Sequence, residues 1–327
     1  MEEEKEWWLY PGTGKSQEIV FPKPPPWRDF NGERRKKERG AKFQISAAGK
    51  DVVNAAIYLR RPLLVTGKPS TGKSTLAYSI AYELKLGEVL HWPINTRTVL
   101  KDGLYSYDAI GRLQDASLKR DKDAKAEPPD IGDYIQLGPI GTAFLPSDPP
   151  RVLLIDEFDK SDIDLPNDLL NIFEEGEFVI PELKRISKQQ PEVDVSSWDS
   201  SSNNEVRPRI KSGLVRCTSF PIVILTSNGE REFPPAFLRR CLRLEMKEPL
   251  EPALKEIVEA RLGTKLTEEA NILISEFVER RQSGELATDQ LLSTIFLLSS
   301  AESLKNYTKE EKETLIKTLQ KYLNEPQ

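Results

Sequence analysis

Gly67-Lys68-Pro69-Ser70-Thr71-Gly72-Lys73-Ser74 satisfies G-x-x-x-x-G-K-[ST] at every required position. No other feature restricts the fold of this chain as much. The pattern acquires meaning where a buried strand delivers the loop and a helix leaves it. Leu63 to Thr66 (LLVT) is a short apolar run ahead of the loop. Behind it Leu76, Ile80 and Leu84 recur every fourth residue, which predicts a helical face opening at Ser74. In that setting backbone N–H groups surround phosphate oxygens, and the helix start adds positive potential. Gly72 permits close backbone approach, Lys73 is expected to reach the β- and γ-phosphates, and Ser74 to hold Mg2+ through its hydroxyl. The expected phosphate-binding residues are Gly67, Lys68, Pro69, Ser70, Thr71, Gly72, Lys73, Ser74 and Thr75. A partial copy upstream, Pro11 to Ser16 (PGTGKS), has Leu9 where the first glycine is required and no apolar run before it. It is expected to be structural.

Three more short apolar runs follow: Val89 to Ile94, Val152 to Asp156 and Ile222 to Asn228. Continuous apolar runs of this length fit parallel strands covered on both faces. Together with the intervening helical segments they predict a doubly wound α/β sheet. In such sheets the carboxyl ends of the strands face the ligand. VLLIDEFDK places Asp156 and Glu157 at such an end. Asp156 suits Mg2+, and Glu157 suits polarising the attacking water as general base. Asp159 is a candidate further polar contact. Asn228 ends the third run, where its amide would hydrogen-bond the water or the γ-phosphate. Arg239 and Arg240 follow FPPAFL at the start of an expected strand, Leu242 to Leu244. A guanidinium delivered there by a neighbouring subunit would neutralise transition-state charge, with Arg240 preferred over Arg239.

Composition removes the main rivals. One histidine (His91) and two cysteines (Cys217, Cys241) exclude a disulfide framework and leave little for a zinc site or His-dependent hydrolysis. His91 reads as a near-core polar group, and the cysteines as small packing residues. The net charge of -5 and the absence of a basic, aromatic-laced groove count against a nucleic-acid partner. No apolar run approaches the roughly 18–20 residues that span a bilayer. The acidic start, MEEEKEWWLY, is not that of a leader peptide. A cytoplasmic protein is expected.

Residues 1–45 form an expected extended arm rich in Trp and Pro, with Trp7, Trp8 and Trp27 arguing for docking and Arg34 to Arg39 for a solvated run. Residues 46–247 carry the α/β pattern, interrupted at 99–147 and 181–213. Tyr105 and Tyr107, in the first interruption, read as packing residues, with a grip on polypeptide as the alternative. Residues 248–327 predict a helical domain of about four segments. Thr267 and Thr288 are its expected N-caps, and Thr308 with Glu311 an expected capping box.

The order of these signals resembles AAA+ ATPases: Walker A (GKPSTGKS), Walker B (LLIDE), sensor 1 (TSN) and an arginine finger (LRRC). EFVIPEL and PIVILTSNGEREFPPAFLRRCL look like the MoxR-type branch. The resemblance implies ATP and Mg2+ as ligands and a homo-oligomeric, usually hexameric, ring with ATP between subunits. It implies a helix-2 insert at about 96–142 and a pre-sensor-1 hairpin within about 177–218, its strands near Glu177 to Ile180 and Leu214 to Thr218, with Trp198 near its tip. It also implies remodelling or activation of a protein client, for some relatives a von Willebrand A-domain protein or a partner in bacterial defence. Where a sensor 2 arginine is expected the chain has Asp289. The leading expectation is therefore an ATP-hydrolysing ring chaperone. The alternatives are a slowly hydrolysing assembly switch or scaffold and, behind it, a DNA-acting translocase or loader.

Overall fold

The computed structural model describes residues 8–10, 12, 14, 16, 18–28, 40–41, 43–124, 127–199, 207–262, 266–281, 286–300 and 308–320. The chain divides into two compact units, one of Arg39–Lys68 with Gly72–Met246, the other of Met1–Glu38, Pro69–Thr71 and Lys247–Gln327.

In the larger unit the elements run α1 (Ala47–Leu59), β1 (Leu63–Thr66), α2 (Lys73–Glu83), β2 (Leu90–Pro93), α3 (Leu100–Leu104), β3 (Tyr105–Tyr107), α4 (Ala109–Lys122), β4 (Ile135–Leu137) and α5 (Pro139–Ala143). They continue with β5 (Val152–Asp156), α6 (Leu165–Glu175), β6 (Glu177–Val179), α7 (Pro181–Ile186), β7 (Glu192–Asp194), β8 (Arg209–Lys211), β9 (Leu214–Arg216), β10 (Ile222–Ser227), α8 (Pro235–Leu238) and β11 (Leu242–Glu245). Five strands form one parallel sheet in the order β11-β1-β10-β5-β2. Alternate side chains enter two separate cores. Leu63, Val65, Val152 and Leu154 pack with Val53 of α1 and Leu76 and Ile80 of α2. Leu64, Leu153, Ile155 and Leu225 pack on the other side with Ile140, Phe144 and Leu169. Burial on both faces explains why these strands read as unbroken apolar runs. Leu84 does not join the helical face expected of it. The helix ends at Glu83, and Leu84, as C-cap, is half exposed.

Between β2 and β5, β3 and β4 pair antiparallel. Tyr105 is buried there, donating its hydroxyl to Glu182 Oε2 at 2.8 Å, and Tyr107 is half-buried. A separate four-stranded sheet runs β6-β9-β8-β7, with β6 and β9 antiparallel. Trp198 lies in the 195–208 connection between β7 and β8, its N–H donating to Thr142 Oγ1 at 2.8 Å. Cys217 and Cys241 adjoin β9 and β11, and burial pushes the Cys241 thiol up to about 12.

The smaller unit contains α9 (Glu251–Leu262), α10 (Glu268–Arg281), α11 (Thr288–Ser300) and α12 (Lys309–Leu319), packed around Leu254, Val258, Ile274, Phe277 and Leu291. Trp27 meets Phe296 edge-on with ring centroids 5.6 Å apart, and Trp8 is half-buried. Trp7 and Arg34 to Arg39 lie outside the described residues. Thr267 Oγ1 accepts from Ala270 N, and Thr308 with Glu311 forms the capping box. Thr288 is not an N-cap: it is already the first residue of α11. The Ala287 N–H before it is satisfied instead by Gln290 Oε1 at 2.9 Å. Among the described residues no helix is long and apolar enough to cross a membrane.

Candidate active site

Because the central strands are parallel, the residues that follow β1, β10 and β5 emerge at one edge of the sheet, side by side in that order. They are the glycine loop, Asn228 and the Asp156–Glu157 pair. The loop is shaped by left-handed backbone at Gly72, φ 91°. A Cβ there would meet the Phe43 ring at 3.0 Å, so both dihedral and space call for glycine. Gly72 is also the N-cap of α2. The N–H groups of Lys73, Ser74 and Thr75 belong to the first turn of the helix, where such groups have no intrahelical acceptor. Lys73 is buried and donates from Nζ to the carbonyls of Gly67 and Lys68, both at 2.7 Å. Burial lowers its pKa, while the carboxylates of Asp159, Asp156 and Glu157 raise it in part. Thr75 is buried and Lys68 exposed. Pro69, Ser70 and Thr71 belong to the smaller unit, in which Ser70 Oγ donates to Asp289 Oδ1 at 2.9 Å.

Asp156 is the polar hub. Its Oδ1 accepts from Ser74 Oγ at 2.7 Å and from Thr226 Oγ1 at 2.6 Å, and His91 Nε2 lies 3.3 Å from Oδ2. Burial pushes this carboxyl up, but the hydrogen bonds from His91, Thr226 and Ser74 outweigh it and hold the group at about 2. An ionised carboxylate against a serine hydroxyl is an all-oxygen donor pair. It fits Mg2+, which takes one or two protein ligands and completes its shell with water and phosphate oxygens. Ser74 and Asp156 are the residues that would hold it.

Glu157 stands in left-handed backbone, φ 59°, which turns the chain sharply out of β5. Its N–H donates to Thr226 Oγ1 at 2.9 Å, and its carboxylate accepts from Lys160 Nζ at 2.8 Å. Asp159 is buried, and its Oδ2 accepts from the N–H groups of Asn228 and Glu230 at 2.8 and 3.2 Å. Asn228 also donates from Nδ2 to Glu230 Oε1 at 3.4 Å.

The structure does not bring Arg239 and Arg240 to this edge. They precede β11, which is parallel to β1, and so lie at the opposite edge beside Arg61. There they line a cavity of about 360 Å³ with Glu174 and Cys241. Arg239 is exposed, while Arg240 is half-buried, pairs with Glu174 Oε1 and donates to the Ala236 carbonyl at 3.1 Å. Arg61 donates to the carbonyls of Arg239 and Arg240.

Sequence reasoning missed Thr226, the contact of His91 with Asp156, and Arg61. The polar pair Thr226–Ser227 closing an otherwise apolar buried strand was the available signal.

A family model described as the AAA domain (dynein-related subfamily) matches residues 62–241, more than half of the 327-residue chain. Among solved structures, NtrX from Brucella abortus in complex with ADP is similar with a TM-score of 0.41 and 11% identity, over 82% of this chain and 53% of that one. The chain thus spans about half the length of that structure. A comparison with curated proteins finds no match.

Proposed function

The chain belongs to the AAA domain family, in its dynein-related subfamily, and on that premise we propose that it hydrolyses ATP as a MoxR-like, ring-forming chaperone. One observation carries the hydrolytic part. Lys73, Ser74, Asp156, Glu157 and Asn228 converge on one sheet edge, with Ser74 Oγ 2.7 Å from an Asp156 carboxylate held ionised at about 2. Lys73 would leave its two loop carbonyls to neutralise the β- and γ-phosphates. Bound Mg2+ would supply charge neutralisation on the phosphate oxygens. Glu157 would take the proton of the attacking water through its carboxylate, and Asn228 would hold that water or the γ-phosphate from the adjacent strand.

The position of Arg239 and Arg240 supports sites completed in trans. Far from its own chain's loop, Arg240 is available to a neighbouring copy once Glu174 releases it. A hexameric ring and a protein client, of the von Willebrand A or defence-system kind, rest on the MoxR-type sequence segments. ATP turnover per chain against protein concentration tests the reading. A rate per chain that climbs with concentration supports interface sites. A measurable rate independent of concentration refutes them.

A second reading is favoured by the two latches, Lys160 on Glu157 and Glu174 on Arg240. It is an ATP-dependent assembly switch in which slow hydrolysis follows from both groups being engaged. A ring formed on ATP with negligible turnover would support it.

A further inference from the structure

Two turns leave adjacent strands at the site, one after β5 and one at the end of β10, and three groups of hydrogen bonds cross-link them in succession. Glu157 N–H donates to Thr226 Oγ1 at 2.9 Å. Asn228 and Glu230 donate their N–H groups to Asp159 Oδ2 at 2.8 and 3.2 Å. Arg231 donates to the Ser161 carbonyl at 2.6 Å, to Ser161 Oγ at 3.1 Å and to the Asp162 carbonyl at 3.3 Å. Beneath them Phe158 stacks on Phe233 at 5.2 Å and packs against Phe237 at 5.3 Å. Arg231 lies 5.8 Å from the Phe233 ring centre.

We propose that Asp159 and Arg231 are positioning residues that lock these turns into one body, fixing the distance between the Glu157 base and the Asn228 amide. The inference rests on the assignment of Glu157 as base. Neither group sits in regular secondary structure: Glu157 is left-handed at φ 59°, and Gly229, beside Asn228, has φ 83°. No sheet ladder reaches either. Lys160 N on the Glu157 carbonyl at 2.9 Å and Gly229 N on Ser227 Oγ at 3.0 Å shape each turn by itself, and the cross-links tie one turn to the other. The central rung and the contacts of Arg231 with the Ser161 and Asp162 carbonyls engage main-chain atoms, and so fix where the backbone runs. Asp159 is 5% exposed, and its Oδ1 has no hydrogen-bond partner among the described residues. Stability alone does not favour a buried carboxylate with one oxygen unpaired, because an apolar residue of similar size avoids the desolvation cost. A requirement to hold two N–H groups at once does favour it.

The test compares Asp159→Ala, Asp159→Asn, Arg231→Ala and Arg231→Lys for kcat, KM and affinity for a fluorescent ATP analogue. The alanine variants are expected to lose about tenfold to a hundredfold in kcat, the scale of a small misplacement, with analogue affinity kept. Asn and Lys are expected to restore part of it. An unchanged kcat, or equal losses of kcat and affinity, overturns the proposal. Hydrogen exchange gives a readout that needs no turnover. Arg231→Ala is expected to speed exchange across Glu157–Lys160, on the turn it does not belong to, and unchanged exchange there overturns the coupling. Glu157→Gln separates the underlying assignment: normal hydrolysis by that variant removes Glu157 as base, whatever the exchange shows.

Discussion

Arg61 Nε donates to the carbonyl oxygen of Arg240 at 3.0 Å, tying residues 179 positions apart at the entry to two paired strands. The same guanidinium also engages the Arg239 carbonyl, so one side chain satisfies the turn that presents both arginines. Arg61→Ala removes hydrogen bonds to one part-buried and one exposed carbonyl, at a cost on the order of 1 kcal/mol. Chemical denaturation is expected to show that loss. Turnover per chain at high protein concentration is expected to fall while nucleotide affinity stays. A parallel fall in affinity would show that the clamp serves the fold alone.

Glu174→Ala frees Arg240 from its partner in the same chain. Turnover per chain is expected to rise, and to reach half its maximum at lower protein concentration. No change in either would mean that the pair is a surface contact without consequence, as exposed pairs often are.

Lys73→Ala and Glu157→Gln are expected to fail differently. The first removes the buried ammonium from the loop and should abolish binding of a fluorescent ATP analogue. The second should bind the analogue as tightly as the parent chain and turn over at least about a hundredfold more slowly. Tight binding by Lys73→Ala would remove the lysine from the phosphate contacts.

Asp156 is held at about 2 against an ordinary 3.8. A depressed carboxyl adds stability above its unfolded value and loses it as pH falls through the folded one. The predicted loss therefore runs from about pH 4 down to pH 2, and amounts to roughly 2 kcal/mol. Urea unfolding of Asp156→Asn beside the parent chain checks this. The gap between the two should narrow as pH drops through that window, and a constant gap would contradict the assignment.

What was legible in the sequence was local or edge-bound. The glycine loop announces itself because its residues are contiguous, and Asp156, Glu157 and Asn228 because each ends an apolar run. Their convergence follows once the strands are taken as parallel. The contacts that fix them were not legible, because they span long separations: Asp159 reaches Asn228 across 69 positions, and Arg61 reaches Arg240 across 179. No spacing rule encodes such pairs. Short-range reasoning also failed where two local solutions competed. At α11 the side chain of Gln290 caps Ala287, so Thr288 lies inside the helix, and at α2 the helix stops one residue before Leu84.

The left-handed backbone at Glu157 sets the site against the fold that carries it. A non-glycine residue there costs roughly 1–2 kcal/mol, whereas glycine gives the unfolded chain extra freedom worth only about 0.4–1 kcal/mol. Glu157→Gly is therefore expected to melt slightly higher than the parent chain while losing hydrolysis. Random variation filtered for thermal robustness alone would drift toward glycine at this position, and only a demand for turnover would hold the glutamate in place.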